Sequence, residues 1–125
     1  MRKALGLIES VGLSTAVSAL DAASKAADVE LLGVEKVIGI ETKVGVTIHL
    51  AGEVAAVRAA VDAGVEAGNR VGRVVASHVI PNPHDELDKM IEKFKGNLKV
   101  DKVEEKPVKK AANTKKNEET NKEEK

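Results

Sequence analysis

The sequence predicts an α+β fold in which a four-stranded antiparallel sheet carries two helices on one face. Two observations support this prediction. Segments with strand-like and helix-like spacing of apolar residues follow one another in the order β-α-β-β-α-β. The segment between the second and third strands, residues 38–44, is too short for a crossover connection, so these two strands are expected to form an antiparallel hairpin.

The first half of the chain predicts two strands and a helix. Residues 3–9 form the first strand, and residues 29–37 form the second. Between them, a helix of about four turns begins near Leu13, with Ser14 as its capping residue. The apolar side chains of this helix recur at helical spacing, at Leu13, Ala16, Val17, Leu20, Ala23 and Ala27.

The second half predicts a strand, a helix and a strand. Residues 45–50 are rich in β-branched side chains, and Glu53 places an acid at the start of the helix that follows. Ala60, Gly64 and Gly68 form a line of small residues on this helix, which favours close packing on its own sheet over a site for a partner helix. Val74–Ile80 completes the sheet.

The last strand ends at a stiff arm, Pro81-Asn82-Pro83, because two prolines fix two φ angles and remove two backbone donors. A short C-terminal helix is expected over residues 84–94, with Asp85 as N-cap. Its apolar side lies at Leu87, Met90, Ile91 and Phe94 and is expected to cover part of the second face of the sheet. The whole order is that of the ferredoxin-like, or split βαβ, pattern.

Composition divides the chain into a domain, residues 1–94, and a tail rich in lysine and glutamate, residues 95–125. The tail holds too few apolar residues to offset the entropy of ordering, so we expect it to be disordered. Through Phe94 there are 10 Lys and Arg against 13 Asp and Glu, and after it 10 Lys against 7 acids. Neither part is basic enough to indicate nucleic acid as the main partner.

Catalytic and cofactor motifs are missing from the sequence. The chain has no cysteine and no glycine-rich phosphate loop, and His49, His78 and His84 follow no metal-ligand spacing. No apolar stretch approaches the length of a membrane span. We therefore expect a soluble, cytosolic, non-enzymatic protein with no cofactor, no bound metal and no membrane partner.

Several stretches together resemble the BMC domain of bacterial microcompartment shell proteins, of the single-domain hexameric type. They cover nearly all of residues 4–84 in the order of the family, whose fold is a ferredoxin-like variant. The stretches are ALGLIESVGLSTAVSALDAASKAADVELLG at 4–33, EK at 35–36, VTI at 46–48, GEVAAVRAAVDAG at 52–64 and SHVIPNPH at 77–84.

The resemblance implies a hexameric disc that tiles into a shell, with a central pore for small polar metabolites. The pore loop is longer than the short Gly-Ser-Gly turn usual in the family, so the usual pore chemistry is not transferable. Two interpretations of the extra residues stand side by side, a narrowed pore with a polar collar and a hairpin that simply extends above the disc. The loop comprises Ile38, Gly39, Ile40, Glu41, Thr42 and Lys43.

The resemblance also implies an edge between neighbouring hexamers. Lys25 matches the edge lysine of the family and Asp28 a usual polar edge position, and His84 is placed on the same edge. Asn82 stands where many members have arginine and cannot supply that five-donor fork. The implied partners are further copies of this chain, other shell proteins and, through the tail, enclosed enzymes, all within a bacterial microcompartment in the cytoplasm.

A second hypothesis is a ferredoxin-like regulator that binds a small ligand between the subunits of a trimer. The SHVIPNPH arm and the Lys25 edge speak against it, since such a regulator needs neither. A third, nucleic-acid binding through the tail, is weakened by the acids interspersed among its lysines.

Overall fold

The computed structural model describes residues 3–40 and 43–98 and confirms the predicted α+β fold. Four strands, two long helices, a short third helix and a final 3-10 turn follow one another along the chain. Their bounds are β1 Ala4–Val11, α1 Leu13–Ala26, β2 Glu30–Ile40, β3 Lys43–Gly52, α2 Val54–Val71, β4 Val74–Ile80, α3 Leu87–Lys95 and the 3-10 turn Gly96–Leu98.

The sheet has the strand order β2-β3-β1-β4, and every neighbouring pair is antiparallel. β1 and β3 are therefore central, and β2 and β4 are the edges. Since β2 and β3 are joined directly and pair with each other, the predicted hairpin is present. This order is the ferredoxin-like arrangement expected from the sequence.

The first face of the sheet is covered by α1 and α2, which pack closely because the contact is built from small side chains. A Cβ atom added at Gly64 would lie 2.9 Å from the carbonyl oxygen of Ala19 on α1 and 2.6 Å from Ile8 on β1. The small-residue line thus packs within its own chain, against α1 as well as the sheet. Fully or nearly fully buried apolar side chains beneath the two helices include Ile8, Val46, Ile48, Leu50 and Val57.

The buried stripe of α1 differs from the predicted one. Ala16, Ala19 and Ala23 are buried, whereas Leu13 and Val17 are each about half exposed. α1 approaches its neighbours through alanines, so the larger side chains at its N-terminal end remain outside the contact. Leu13 is already helical and Gly12 is the N-cap, so the prediction of Ser14 as cap is wrong.

The second face of the sheet is covered by α3 over part of its area. Ile91 and Phe94 of α3 are buried, and Ile91 packs with Leu5 of β1 and Ala51 of β3. Met90 is more than a third exposed and so contributes less than the sequence pattern predicts. The N-cap of α3 is Glu86 rather than the predicted Asp85, because His84 and Asp85 form a turn before the helix begins.

The described structure continues past the predicted domain end, since α3 runs to Lys95 and the 3-10 turn to Leu98. The tail prediction otherwise falls on residues 99–125, which lie outside the described residues. Within the two described ranges, no helix has the length and apolar character needed to cross a membrane.

Candidate functional site

The predicted edge residues lie together at one end of the sheet. Ala4 pairs with Gly52, and Leu5 with Ile80, so β1 begins where β3 and β4 end. α1 returns to this end, which places Lys25 in its last turn and Asp28 just before β2. Asn82 and His84 directly follow β4 at the same end.

The predicted pore segment lies at the opposite end of the sheet. The last β1–β3 pair is Val11 with Gly45, yet the β2–β3 pairing continues to Ile38 with Val44 and Ile40 with Lys43. A two-stranded ribbon therefore projects past the four-stranded sheet. The amide N–H of Gly12 donates to the carbonyl oxygen of Val44 and anchors the base of this ribbon.

Most of the predicted pore loop belongs to the two strands of the ribbon. β2 ends at Ile40 and β3 begins at Lys43, so Ile38, Gly39, Ile40 and Lys43 are strand residues. Gly39 has a φ of 106° at a register shift between Ile38 and Ile40. Residues other than glycine rarely adopt this backbone conformation. Ile38 is 88% exposed and Lys43 is exposed. Glu41 and Thr42 lie outside the described residues.

Lys25 is an exposed side chain that is held by its own helix. Its Nζ lies 2.8 Å from Oδ2 of Asp21, one turn earlier, and both side chains are mostly exposed. Asp28 is also exposed and shares a shallow polar cavity with Lys3, Glu30 and Glu53. Lys25 therefore presents its charge to solvent in the single chain, where a neighbour can reach it.

The proline arm is fixed by burial of its second proline. Pro83 is buried, while Asn82 and His84 on either side of it are exposed. The backbone N–H of Glu86 donates to Nδ1 of His84 at 3.1 Å, and that of Leu87 donates to the carbonyl oxygen of His84. His84 thus connects the arm to the start of α3.

Sequence reasoning missed a buried ring pair between β3 and α3. The rings of His49 and Phe94 stack with their centroids 4.7 Å apart, and His49 is only 3% exposed. Burial lowers the pKa of His49 from its ordinary value, and the negative charge of Glu35 opposes part of that change. Phe94 lies 45 positions along the chain, so no local spacing indicated the pair.

An open cavity of about 440 Å³ adjoins Phe94 and is lined by Val34, Glu35, Lys36, Lys93, Phe94 and Asn97. The side-chain amide of Asn97 donates to the carbonyl oxygen of Val34 at 2.6 Å, which ties the 3-10 turn to the edge strand β2. In the part of the chain that the structure describes, no group of three or more His, Cys, Asp or Glu is arranged to hold a metal ion.

Comparison with known proteins places this geometry in a family. The family model of the BMC domain matches residues 4–83. The chain is 45% identical to the bacterial microcompartment shell protein PduA of Citrobacter freundii over 74% of its length and 95% of that protein. It is 43% identical to EutM, a bacterial microcompartment shell protein of Salmonella typhimurium, over 78% of its length and 99% of that protein.

A carboxysome shell protein and a solved structure of a microcompartments protein are also similar to this chain. The chain is 49% identical to the carboxysome shell protein CsoS1 of Prochlorococcus marinus over 68% of its length and 80% of that protein. It is 39% identical to a crystal structure of a microcompartments protein from Desulfitobacterium hafniense, with a TM-score of 0.60. That match covers 71% of this chain and 48% of the other, so this chain spans about half the length of that protein.

The fold and the matches define a shell-forming class of protein, and the chain belongs to the BMC domain family. The resemblance seen in the sequence is confirmed: this is a single-domain shell protein of the bacterial microcompartment, with a structural role there.

Proposed function

We propose that this chain forms homohexameric discs that tile into a microcompartment shell, with a central pore through each disc for small polar metabolites. The observation that carries the proposal is the separation of the two candidate regions. The ribbon with Ile38 and Lys43 projects from one end of the sheet, and Lys25, Asp28 and Asn82 lie at the other. A subunit in a closed ring needs this division, because one end meets the axis and the other meets the rim.

The dimensions of the sheet fit that role. β3 runs the full distance from the ribbon to the edge with ten residues, and at about 3.3 Å per residue it spans roughly 33 Å. A single subunit can therefore reach from the axis of a disc to its rim without help from another domain.

Exposed apolar side chains support association between copies. Four lie where the N-terminal end of α1 meets the C-terminal end of α2 and the start of β4, close to the base of the ribbon. They are Leu13, Val17, Val71 and Val75, each between 40% and 59% exposed. Neighbouring subunits of a ring would bury such side chains at the inner part of their contact.

The pore proposal assigns the ribbon to the sixfold axis. Every charge there is repeated six times, so a ring of Lys43 side chains would favour anions unless Glu41 offsets it. Ile38, almost fully exposed in the single chain, would narrow the opening or contact a neighbouring ribbon. Of the two interpretations of the extra residues, the continued β2–β3 pairing supports the hairpin that extends above the disc.

A disc that tiles into a shell must contact the neighbouring shell components. We infer lateral contact with further copies of this disc and with other shell proteins through the edge residues, and a structural role without catalysis. His84 and Asn82 contribute to this edge beside Lys25. Binding of enclosed enzymes through residues 95–125 remains a proposal from the sequence alone, because nearly all of that segment lies outside the described residues.

The first experiment measures native mass by light scattering and assembly by electron microscopy, for the unmodified chain and for Lys25→Asp. Six copies of the 13.2 kDa chain give about 79 kDa. We expect hexamers and extended sheets for the unmodified chain, and hexamers without sheets for Lys25→Asp, because the change reverses the charge that reaches the neighbour. A stable trimer would favour the ligand-binding regulator.

Arg70→Asp is the matched control. Arg70 lies in the last turn of α2 and pairs with Glu66 one turn earlier, as Lys25 pairs with Asp21 on α1. Each change replaces one exposed i,i+4 ion pair with a pair of like charges and places an acid in the last turn of a helix, which costs about 1 to 2 kcal/mol in both variants. If hexamers of both variants lost their sheets, the loss would come from altered helix charge and the edge assignment would fail.

A further inference from the structure

His49 lies in a position that suits only a neutral imidazole. It is 3% exposed on β3, and the ring of Phe94 from α3 covers it. Neither ring nitrogen has a hydrogen-bond partner among the described residues. A neutral imidazole pays a modest penalty for this burial, but an imidazolium would bury a charge and two unsatisfied N–H donors.

The groups around His49 offer little compensation for a positive charge. Gly33 of β2 and Leu7 of β1 are its register partners and supply no acceptor side chain. Among the described residues, Glu35 of β2 is the carboxylate that favours the protonated ring. Lys36 of β2 and Lys93 of α3, which line the cavity beside Phe94, carry positive charges that oppose it. On the same face, Glu9 of β1 pairs in register with Thr47, and His78 of β4 pairs with Leu7, beyond the immediate contact.

α3 is the element that can move away from His49. β1 and β2 are joined to β3 by ladders of backbone hydrogen bonds along their length. α3 is held by a few side chains, chiefly Ile91 and Phe94, with Leu87 partly buried. The turn that follows it adds one exposed hydrogen bond, from the side-chain amide of Asn97 to the carbonyl oxygen of Val34. We propose that α3 is a proton-sensitive cover, which is released from the second face of the sheet when His49 is protonated.

Docking of α3 is expected to weaken as pH falls, because His49 moves from a buried to a solvated environment when α3 is released. With α3 docked, burial holds the pKa of His49 below its ordinary value, and release returns the ring to water and to that value of about 6.5. The released form therefore binds protons more readily. Docking is at full strength above about pH 6.5 and weakens as pH falls, by up to tenfold per pH unit until the pKa of the docked state is reached.

His84 makes a separate contact at the start of α3. Its Nδ1 accepts a hydrogen bond from the backbone N–H of Glu86 at 3.1 Å, and its side chain is exposed rather than buried beneath α3. Variants at the two positions therefore separate the buried ring from this exposed contact.

The chain offers a clean reporter for the test, since Phe94 is its single phenylalanine and it has no tyrosine or tryptophan. The full chain labelled with ¹³C-phenylalanine is titrated from about pH 8 to about pH 5, across the ordinary histidine pKa. Ring signals of Phe94 report docking, histidine C2–H signals report each protonation, and backbone amide exchange reports the sheet. We expect the Phe94 signals to reach solvent-exposed values as His49 protonates, while the amides of β1 and β3 stay protected.

Two variants test whether release of α3 depends on protonation of His49. His49→Leu keeps a side chain of similar size that has no titratable group, so Phe94 should stay docked at about pH 5. His78→Leu, on the same face of the sheet but exposed, should behave like the unmodified chain. The proposal is overturned if Phe94 stays docked in the unmodified chain while His49 titrates. It is equally overturned if release at about pH 5 persists in His49→Leu. Should His49→Leu not fold, the first outcome still decides the proposal, because the His49 and Phe94 signals of the unmodified chain are read in the same titration.

Discussion

The two faces of the sheet are covered in different ways. On the first face, α1 and α2 approach so closely that backbone atoms limit the fit, as the 2.9 Å between an added Gly64 Cβ and the Ala19 carbonyl oxygen shows. On the second face, α3 comes equally close at one point, where an added Gly33 Cβ would lie 2.9 Å from the backbone of Phe94. Elsewhere α3 covers only part of the area, through a few large side chains, and leaves a cavity of about 440 Å³ beside Phe94.

The difference implies that α1 and α2 stay on the sheet as long as the domain is folded, whereas α3 can leave it. Two long helices that pack on each other and on the sheet do not separate from it one at a time, so this contact is either intact or lost together with the domain. A single helix of 9 residues over an uncharged histidine can open while the sheet remains whole. The first face thus holds the subunit together, and the second face can respond to conditions.

Gly64→Val should have the largest effect, because it inserts a branched side chain against the backbone carbonyl of Ala19 on α1, which cannot yield. We expect the free energy of unfolding to fall by about 3 kcal/mol, the upper part of the range for overpacking. Chemical denaturation monitored by circular dichroism measures it. Gly96→Val is the control, since an added Cβ there has no neighbour within 4 Å. Equal losses in both variants would show that the close approach of α1 and α2 contributes nothing special.

Gly33→Val should damage the second face alone. A Cβ at Gly33 would lie 2.9 Å from the backbone carbon and oxygen of Phe94, so α3 must shift or detach. We expect a loss of about 2 kcal/mol in docking, with the domain still folded. The Phe94 ring signals should then take solvent-exposed values even at about pH 8, above the ordinary histidine pKa. Loss of amide protection in β1 and β3 as well would contradict the independence of the two faces.

Glu35→Gln should have the smallest effect and should extend the pH range over which docking of α3 weakens. Glu35 raises the pKa of His49 against the larger effect of burial. Without it, the docked state tolerates the proton even less, so docking continues to weaken over a wider range below about pH 6.5. We expect the released fraction at about pH 5 to rise by less than tenfold, measured from the Phe94 signals. Glu9→Gln, on the other side of Thr47, should leave the response unchanged.

The order of elements was predictable because each one satisfies its own local pattern. α2 has its small-residue line, β4 ends at two prolines, and α3 has apolar residues on one side. The starts of α1 and α2 were predictable as well, but the caps of α1 and α3 were not, since these depend on the turns before them. Gly12 enters α1 with a φ of 84°, and His84 sets the turn before α3, so neither Ser14 nor Asp85 is the cap.

The candidate site was predictable to different degrees. The edge and pore residues came from resemblance, and the structure adds their placement at opposite ends of the sheet. The extent of the ribbon depended on a register shift at Gly39, which alternation on either side of it does not reveal. The pairing of His49 with Phe94 required knowing which face of the sheet His49 occupies and where α3 docks on it.

The floor beneath α3 is contributed by β1, β2 and β3, through Leu5, Leu32 and Ala51. These residues are far apart in sequence and come together only after the strands have paired. α3 therefore has no binding surface during the early steps of folding and joins last. Changes in α3 are accordingly expected to alter the rate at which the finished subunit opens and to leave the rate at which the sheet assembles almost untouched.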